Sequence, residues 1–558
     1  MLLSNLNLLA TAPGGVARLR ELILTLAVQG KLVPQDPKDE PASALLKKIR
    51  AEKDLLIAEG MIKRDKPLTE IADEEKPFGL PVGWEWVRLP EVTYNLGQGA
   101  PTEKFTYIDV ASIDNEKGLV ADTAETVEAV DAPSRARKNV AVGTVLYSTI
   151  RPYLKNIAVV EKDYAHRAIA STAFAIMHPH IGLHSKYLLH YLRSAIFTDF
   201  VSSKAVGVAY PAINDANFFE GVIAIPPTKE QSRIVSRVEE LMRLCDALEA
   251  KGQLEAKQHA QLVSTLLGTL TDSETPKQLA DNWHRIATHF DLLLDRPQAV
   301  DALEQTILQL AVRGLLVPQD PQDEPASVLL KKIRLEKDKL IAEGKIKRDK
   351  PLPPIAGDEL PFALPLGWKW ARFPELGDFG RGKSKHRPRN DPNLFNPPKY
   401  PLIQTGEVSR AKGVVQEVHS YYSDIGLAQS RLWPKGTLCI TIAANIAESA
   451  VLGFDSCFPD SVVGFVPANA MGNVEYFLLF VETARADLLA FAPATAQKNI
   501  NLEILSSLLI PVPPLNELTR IVTRVASLRR LCADLRQRLC ASQSTQAHLA
   551  EALVQRVA

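Results

Sequence analysis

Apolar positions along the chain keep two different rhythms. Near the start, Val16, Leu19, Leu22, Ile23, Leu26 and Ala27 recur at helical spacing, and Gly30 offers a C-terminal stop. After the turn PQDPKDEP, Pro41 suits a first helical position, Leu45 and Ile49 fall one turn apart, and Gly60 closes a second helix. Farther on, Ile234, Val238, Leu241, Cys245 and Leu248 alternate steps of four and three, as do Ile521, Val525, Leu528, Cys532 and Leu535. Such 3.5-residue seams pack helix on helix in coiled-coil fashion. The two seams either pair with each other, antiparallel, or pack within their own halves. Between these helical stretches the rhythm shortens to β-branched runs: Gly143–Tyr147, Ile157–Val160, Thr437–Ile442 and Val462–Val466.

Much of the chain is written twice. Ile23–Leu68 matches Ile307–Leu352 without a gap at 38 of 46 positions, an offset of 284. PFGLPVGWEWVRLPEV, from Pro77, answers PFALPLGWKWARFPEL, from Pro361. A closing pair follows at an offset of 287: IPPTKEQSRIVSRVEELMRLC from Ile225 and VPPLNELTRIVTRVASLRRLC from Val512. The intervening segments, Thr93 to about Ala224 and Gly377 to about Pro511, have similar length and little sequence in common. A duplicated frame with two unlike inserts reads most simply as a pseudo-twofold scaffold presenting two surfaces. The bland alternative is a tandem protein whose inserts have merely drifted.

The expected fold class is α+β, with two mixed α/β domains and long helices forming an antiparallel, coiled-coil-like spacer. Its segments are 1–76 (helical), 77–228 (first insert domain), 229–272 (long helix), 273–360 (linker and second helical copy), 361–515 (second insert domain) and 516–558 (long helix). The linker begins with TDSETP, and Asp281–Leu294 resumes as helix.

Composition narrows the function. Sixty-five basic and 65 acidic residues cancel, so nucleic-acid binding has to come from local clusters. The inserts supply such clusters. The first offers Gln98, Lys104, Ser134, Arg135, Arg137, Lys138, Ser148, Thr149, Arg151, Tyr153, Lys155 and Asn156. The second offers Arg381, Lys383, Ser384, Lys385, His386, Arg387, Arg389, Gln404, Thr405, Gln429, Arg431, Asn445 and Lys498. Arg and Lys neutralise phosphates and meet guanine edges, and Asn and Gln bond adenine in two places. Five cysteines without a CxxC pair suit a reducing compartment. The opening residues lack a basic signal region, and no apolar run reaches ~18 residues; the expected location is the cytoplasm.

Three motifs invite enzymatic readings. GDFGRGKS, Gly377–Ser384, satisfies the phosphate-loop pattern, which needs a helix directly after it. Pro388, Pro392, Pro397 and Pro398 follow instead. NPPKY, Asn396–Tyr400, resembles a methyltransferase loop with a lysine inserted, and reads as a turn. His178 and His180 have no partner at metal-site spacing. The alternatives to DNA recognition are therefore a phosphate-loop nucleotide hydrolase using Lys383 and Ser384, and a protein scaffold without DNA.

Taken together, LAVQGKLVPQDPKDEPASALLKKI, the LPVGWEWVRL border of each insert and the exit IPPTKEQSRIV resemble the specificity subunits of type I restriction-modification systems. The match covers nearly the whole chain, twice. The second exit departs from that family's pattern at one point, where Glu230-Gln231 becomes Glu517-Leu518, a change expected to touch packing at most. The resemblance implies a non-catalytic subunit whose two target-recognition domains each read half of an asymmetric, split DNA site. It implies that the long helices set the spacing and dock DNA adenine methyltransferase subunits, two of them. Restriction and translocase subunits complete the assembly, and S-adenosylmethionine, ATP and Mg belong to the partners.

Overall fold

The computed structural model describes residues 6–64, 67–207, 209–349, 351–386, 388–490 and 500–557. Arg387 and Lys498 lie outside them. The chain forms two compact units, Met1–Glu255 with Ser542–Ala558, and Ala256–Ala541. The helical periodicities resolve as Gly15–Val28, Ala42–Ala58 and a 44-residue helix, Thr228–Thr271. Their second copies are Pro297–Val312, Ala326–Ala342 and Leu515–Val557. Gly30 and its counterpart Gly314 both take φ +71°, the left-handed conformation that a helix stop requires. The linker helix Pro276–Thr288 is broken at His289 before Phe290–Leu293, so the expected single helix is two.

In the first unit the insert leaves and returns through one antiparallel pair, Glu85–Arg88 against Val222–Ile225. Lys369–Arg372 pairs with Leu509–Val512 in the same way in the second. The border sequences thus close each insert on itself. Inside the first insert, a six-stranded sheet has the order Thr93–Tyr94, Phe174–Pro179, Val145–Ser148, Ile157–Val159, Leu119–Val120, Ile113–Asp114. The second insert's sheet runs Gly377–Arg381, Val462–Pro467, Leu438–Thr441, Ser449–Leu452, Val414–Val415. The first five strands correspond in order, and in both sheets the fifth joins the fourth in parallel. Inserts with little common sequence therefore share a frame, and each adds a smaller sheet, four-stranded in the first and two-stranded in the second.

The seams pack onto their own halves. Ile234, Val238, Leu241, Cys245 and Leu248 share a core with Leu19, Ile23 and Ala27, joined by Ala550 and Val554 from the tail of the second long helix. Ile521, Val525, Leu528, Cys532 and Leu535 share one with Leu303 and Ile307, joined by Val263, Leu267 and Leu270 from the end of the first. Each unit thus contains the beginning of one long helix and the end of the other. In each unit the short conserved helix of that copy packs on the apolar face of the seam.

Duplicated polar contacts fix each insert on its helical frame. The Trp84 indole donates to the buried Glu230 carboxylate at 3.1 Å and Trp368 to Glu517 at 3.0 Å. Glu52 accepts from the Ile181 amide at 2.9 Å, and Glu336 from the Asn469 amide at 2.8 Å. Arg233 pairs with Asp39 and Arg520 with Asp323. The Glu-Gln to Glu-Leu departure touches more than packing. Gln231 accepts from the His184 amide at 2.8 Å and donates to the Pro226 carbonyl, whereas Leu518 is simply buried.

Candidate nucleic-acid interface

The turn preceding the second strand of each main sheet is the hub of the candidate surface. In the first domain, the Thr172 amide donates to the Arg135 carbonyl and the Thr149 amide to the Ala173 carbonyl, both at 2.8 Å. The Gly99 amide donates to the Arg137 carbonyl, which sets Gln98 beside the basic segment. Gln98, Ser134, Arg135 and the hairpin loop that carries Arg151, Tyr153, Lys155 and Asn156 are thereby gathered around one turn. Gln98, Ser134, Arg135 and Tyr153 are exposed; Arg137, Arg151, Lys155 and Asn156 are half-buried. Lys104 is exposed but holds Glu128 at 2.7 Å.

The second domain repeats the arrangement. The Ile442 amide donates to the Ser461 carbonyl at 3.0 Å, the counterpart of the Thr149 contact. Arg381 donates to the Asp460 carbonyl, and Arg389 reaches the Asp460 carboxylate at 3.1 Å. The basic segment, this turn and the hairpin loop with Asn445 are therefore neighbours again. Gln429 accepts from the Lys385 and His386 amides and so supports the basic segment, while Ser430 donates to the Lys383 carbonyl. Lys383 and Lys385 are exposed and, among the described residues, carry no ion pair. His386 contacts Asp391 at 2.8 Å. Ser384 lies half-buried between the two lysines.

Several expected contacts point elsewhere. Lys138 is buried, its ammonium spent on the Phe174 carbonyl at 2.6 Å and Asp215 at 2.9 Å. Ser148 and Thr149 are buried and bonded to the Ile150 and Ala173 carbonyls. Arg431 pairs with Asp378 and lies over Trp433, 3.7 Å from the ring centroid. These four stabilise the frame instead of facing a ligand. Gln404 and Thr405 begin the short helix Thr405–Arg410, with the Gln404 amide capped by Glu407, and among the described residues have no bond to the surface around Asp460. Sequence reasoning missed Tyr210, 68% exposed, on whose ring the Arg151 guanidinium lies at 4.4 Å. It also missed Asp460, the anchor of two arginines. Both are remote in sequence from the groups they hold.

The enzymatic motifs dissolve in the geometry. Gly377–Arg381 is itself a strand, and among the described residues no α-helix follows before Thr405. A Cβ at Gly377 would lie 2.1 Å from the Val466 carbonyl oxygen, and one at Gly382 would lie 2.3 Å from that of Pro459, so these glycines serve strand packing. NPPKY lies in the connection leading into the strand Tyr400–Leu402. His178 meets the Thr144 hydroxyl and His180 meets Glu52. The described residues contain no cluster of potential metal ligands and no helix long and apolar enough to cross a membrane.

Two copies of one frame presenting unlike polar surfaces define a bipartite recognition scaffold. The family model for the type I restriction modification DNA specificity domain matches residues 105–258 and 366–541. The Escherichia coli type I restriction enzyme EcoEI specificity subunit is 36% identical over 564 residues, covering 97% of this chain and 93% of its own. The EcoAI specificity subunit of the same organism is 36% identical over 563 residues, with the same coverage. A structure solved to explain complex assembly and conformational transition of the type I R-M system aligns with TM-score 0.51 at 22% identity, over 86% of this chain and 99% of that one. The chain belongs to the specificity subunits of type I restriction-modification systems, non-catalytic subunits for DNA recognition.

Proposed function

We propose that each insert domain reads one half of an asymmetric bipartite DNA site through the surface around its hub turn, and that the helices dock two methyltransferase subunits. The observation that carries the reading is the equivalence of the two frames combined with the difference between their exposed side chains. One geometry presents Arg135, Arg151 and Tyr153 in the first domain and Lys383, Lys385 and Asn445 in the second. Different half-sites follow from different donors on one frame. The basic groups supply phosphate attraction locally on a chain with no net charge.

Equal docking faces on the long helices support two partner subunits. Leu244 and Leu262 are exposed on the first, and Leu531 and Leu549, each 287 residues later, on the second. S-adenosylmethionine then belongs to the methyltransferase, and ATP and Mg to the restriction subunits. Helices of this length, about 65 Å each, suit a spacer.

Replacing residues 361–515 with the matching insert of another specificity subunit tests the assignment. One half of the methylated motif is expected to change and the other to persist. A motif unaltered by the exchange would overturn it.

A further inference from the structure

Four non-glycine residues among those described adopt left-handed backbone: Arg151 (φ 48°), Lys155 (φ 50°), Ala444 (φ 64°) and Ala447 (φ 58°). All four lie in two loops, and the loops are equivalent. One joins Val145–Ser148 to Ile157–Val159, and the other joins Leu438–Thr441 to Ser449–Leu452. In this region Cβ crowds the backbone, and the conformation persists only where the surroundings impose it. Glycine would adopt it freely, yet neither loop contains one.

Polar contacts at each loop's base hold it. Ser148 and Thr441 hold the same strand position; the first donates from its hydroxyl to the Ile150 carbonyl and the second to those of Asn445 and Glu448. The next residue in each loop is tied by its amide to the hub turn. The Arg151 amide is further bound to the Pro211 carbonyl at 2.8 Å. Frame and fastening are thus shared while side chains differ: Arg-Pro-Tyr-Leu-Lys-Asn in one, Ala-Ala-Asn-Ile-Ala in the other. A shared placement and tether under variable loop length and side chains is what two readers of different half-sites require.

We infer that these hairpin loops are the base-reading elements of the two domains, with Arg151 presented to a guanine edge and Asn445 to an adenine edge. The inference rests on the DNA-recognition reading and assigns residues to it. A guanidinium offers the parallel donors that guanine O6 and N7 accept, and a carboxamide matches adenine N6 and N7. Tyr210 supports the guanidinium face at 4.4 Å, and the half-buried Arg151 side chain has its Nε buried without a hydrogen-bond partner among the described residues. Asn445 is exposed, and among the described residues its side chain makes no hydrogen bond while its carbonyl is held by Thr441. Tyr153, 52% exposed, adds an aromatic flank to the first loop.

The test is the methylated motif, mapped genome-wide in cells expressing this chain with its methyltransferase, for the unmodified chain, Arg151→Gly and Asn445→Ala. Glycine at 151 removes the side chain and keeps the left-handed backbone. Recovery of the assembled complex is the control, and Asn445→Ser gives the same readout where Asn445→Ala fails to assemble. Arg151→Gly is expected to relax a guanine in one half-site by roughly ten- to a hundredfold, with the other half unchanged. Asn445→Ala is expected to relax an adenine in the other half. A motif as stringent as before, or methylation lowered alike at every position, would overturn the inference. If the unmodified chain itself specifies no motif, the failure belongs to the DNA-recognition reading instead.

Discussion

Glu249 of the first long helix accepts from Arg20 at 2.8 Å, and at the equivalent positions of the second half Glu304 and Arg536 form the same contact at 2.9 Å with the charges exchanged. Each arginine also has an aspartate partner, Asp246 for Arg20 and Asp301 for Arg536. An exchange of polarity preserves each pair and sets like charges against the wrong one, so each short helix matches its own half. Arg20→Glu faces two carboxylates and is expected to lower the melting temperature by about 2 °C, the scale of about 1 kcal/mol in a partly exposed pair. Adding Glu249→Arg is expected to recover most of the loss. Equal melting of both variants would show the pair to be incidental.

The Trp84–Glu230 contact makes a sharper prediction. Burial raises the Glu230 carboxyl above its ordinary value, against the opposing bonds from Gln35 and Trp84. A raised carboxyl pKa means that the folded chain takes up the proton first. This group therefore strengthens the fold as pH falls through the folded value and weakens it as pH rises. Glu230→Gln keeps an acceptor for the indole and removes that dependence, whereas Glu230→Ala strands the indole N–H and costs about 1–3 kcal/mol. Chemical denaturation of the three proteins at pH 5 and 7.5 separates the effects.

His190 works in the opposite direction. Burial lowers its pKa to about 3, and among the described residues its Nε2 is buried without a partner. Between pH 6.5 and about 3 the unfolded chain binds a proton that the folded chain refuses. The stability due to neutral His190 is complete above 6.5 and declines by about 1.4 kcal/mol per pH unit below it. His190→Gln is expected to flatten this slope in denaturation midpoints measured from pH 7.5 to 5.

Gly377 separates a packed strand from a phosphate loop. Gly377→Ala drives a Cβ into the Val466 carbonyl and is expected to destabilise the second domain by about 1–3 kcal/mol. Lys383→Ala, on an exposed side chain, is expected to leave melting unchanged, and neither variant changes nucleotide binding in calorimetric titration of ATP. Saturable ATP binding lost with Lys383 would contradict the assignment.

Repeats and periodicity made the architecture readable, because helix faces and duplicated borders are local patterns. Gly30 and the seam residues fell where those patterns put them. The facing of individual side chains was not local. Lys138 turns inward to meet Asp215, 77 residues away, and Arg431 is held by Asp378. The strained backbone of Arg151 and Ala444 was equally hidden, since no glycine marks it. Tertiary partners decided which of the basic residues near turns face outward.

The central claim is that this chain chooses the DNA sequence its methyltransferase modifies. Genome-wide adenine-methylation mapping in cells carrying the methyltransferase, with and without this chain, tests it most directly. A split, asymmetric motif methylated only when the chain is present is the predicted result. An identical methylome in both, with the methyltransferase expressed and assembled, would contradict it.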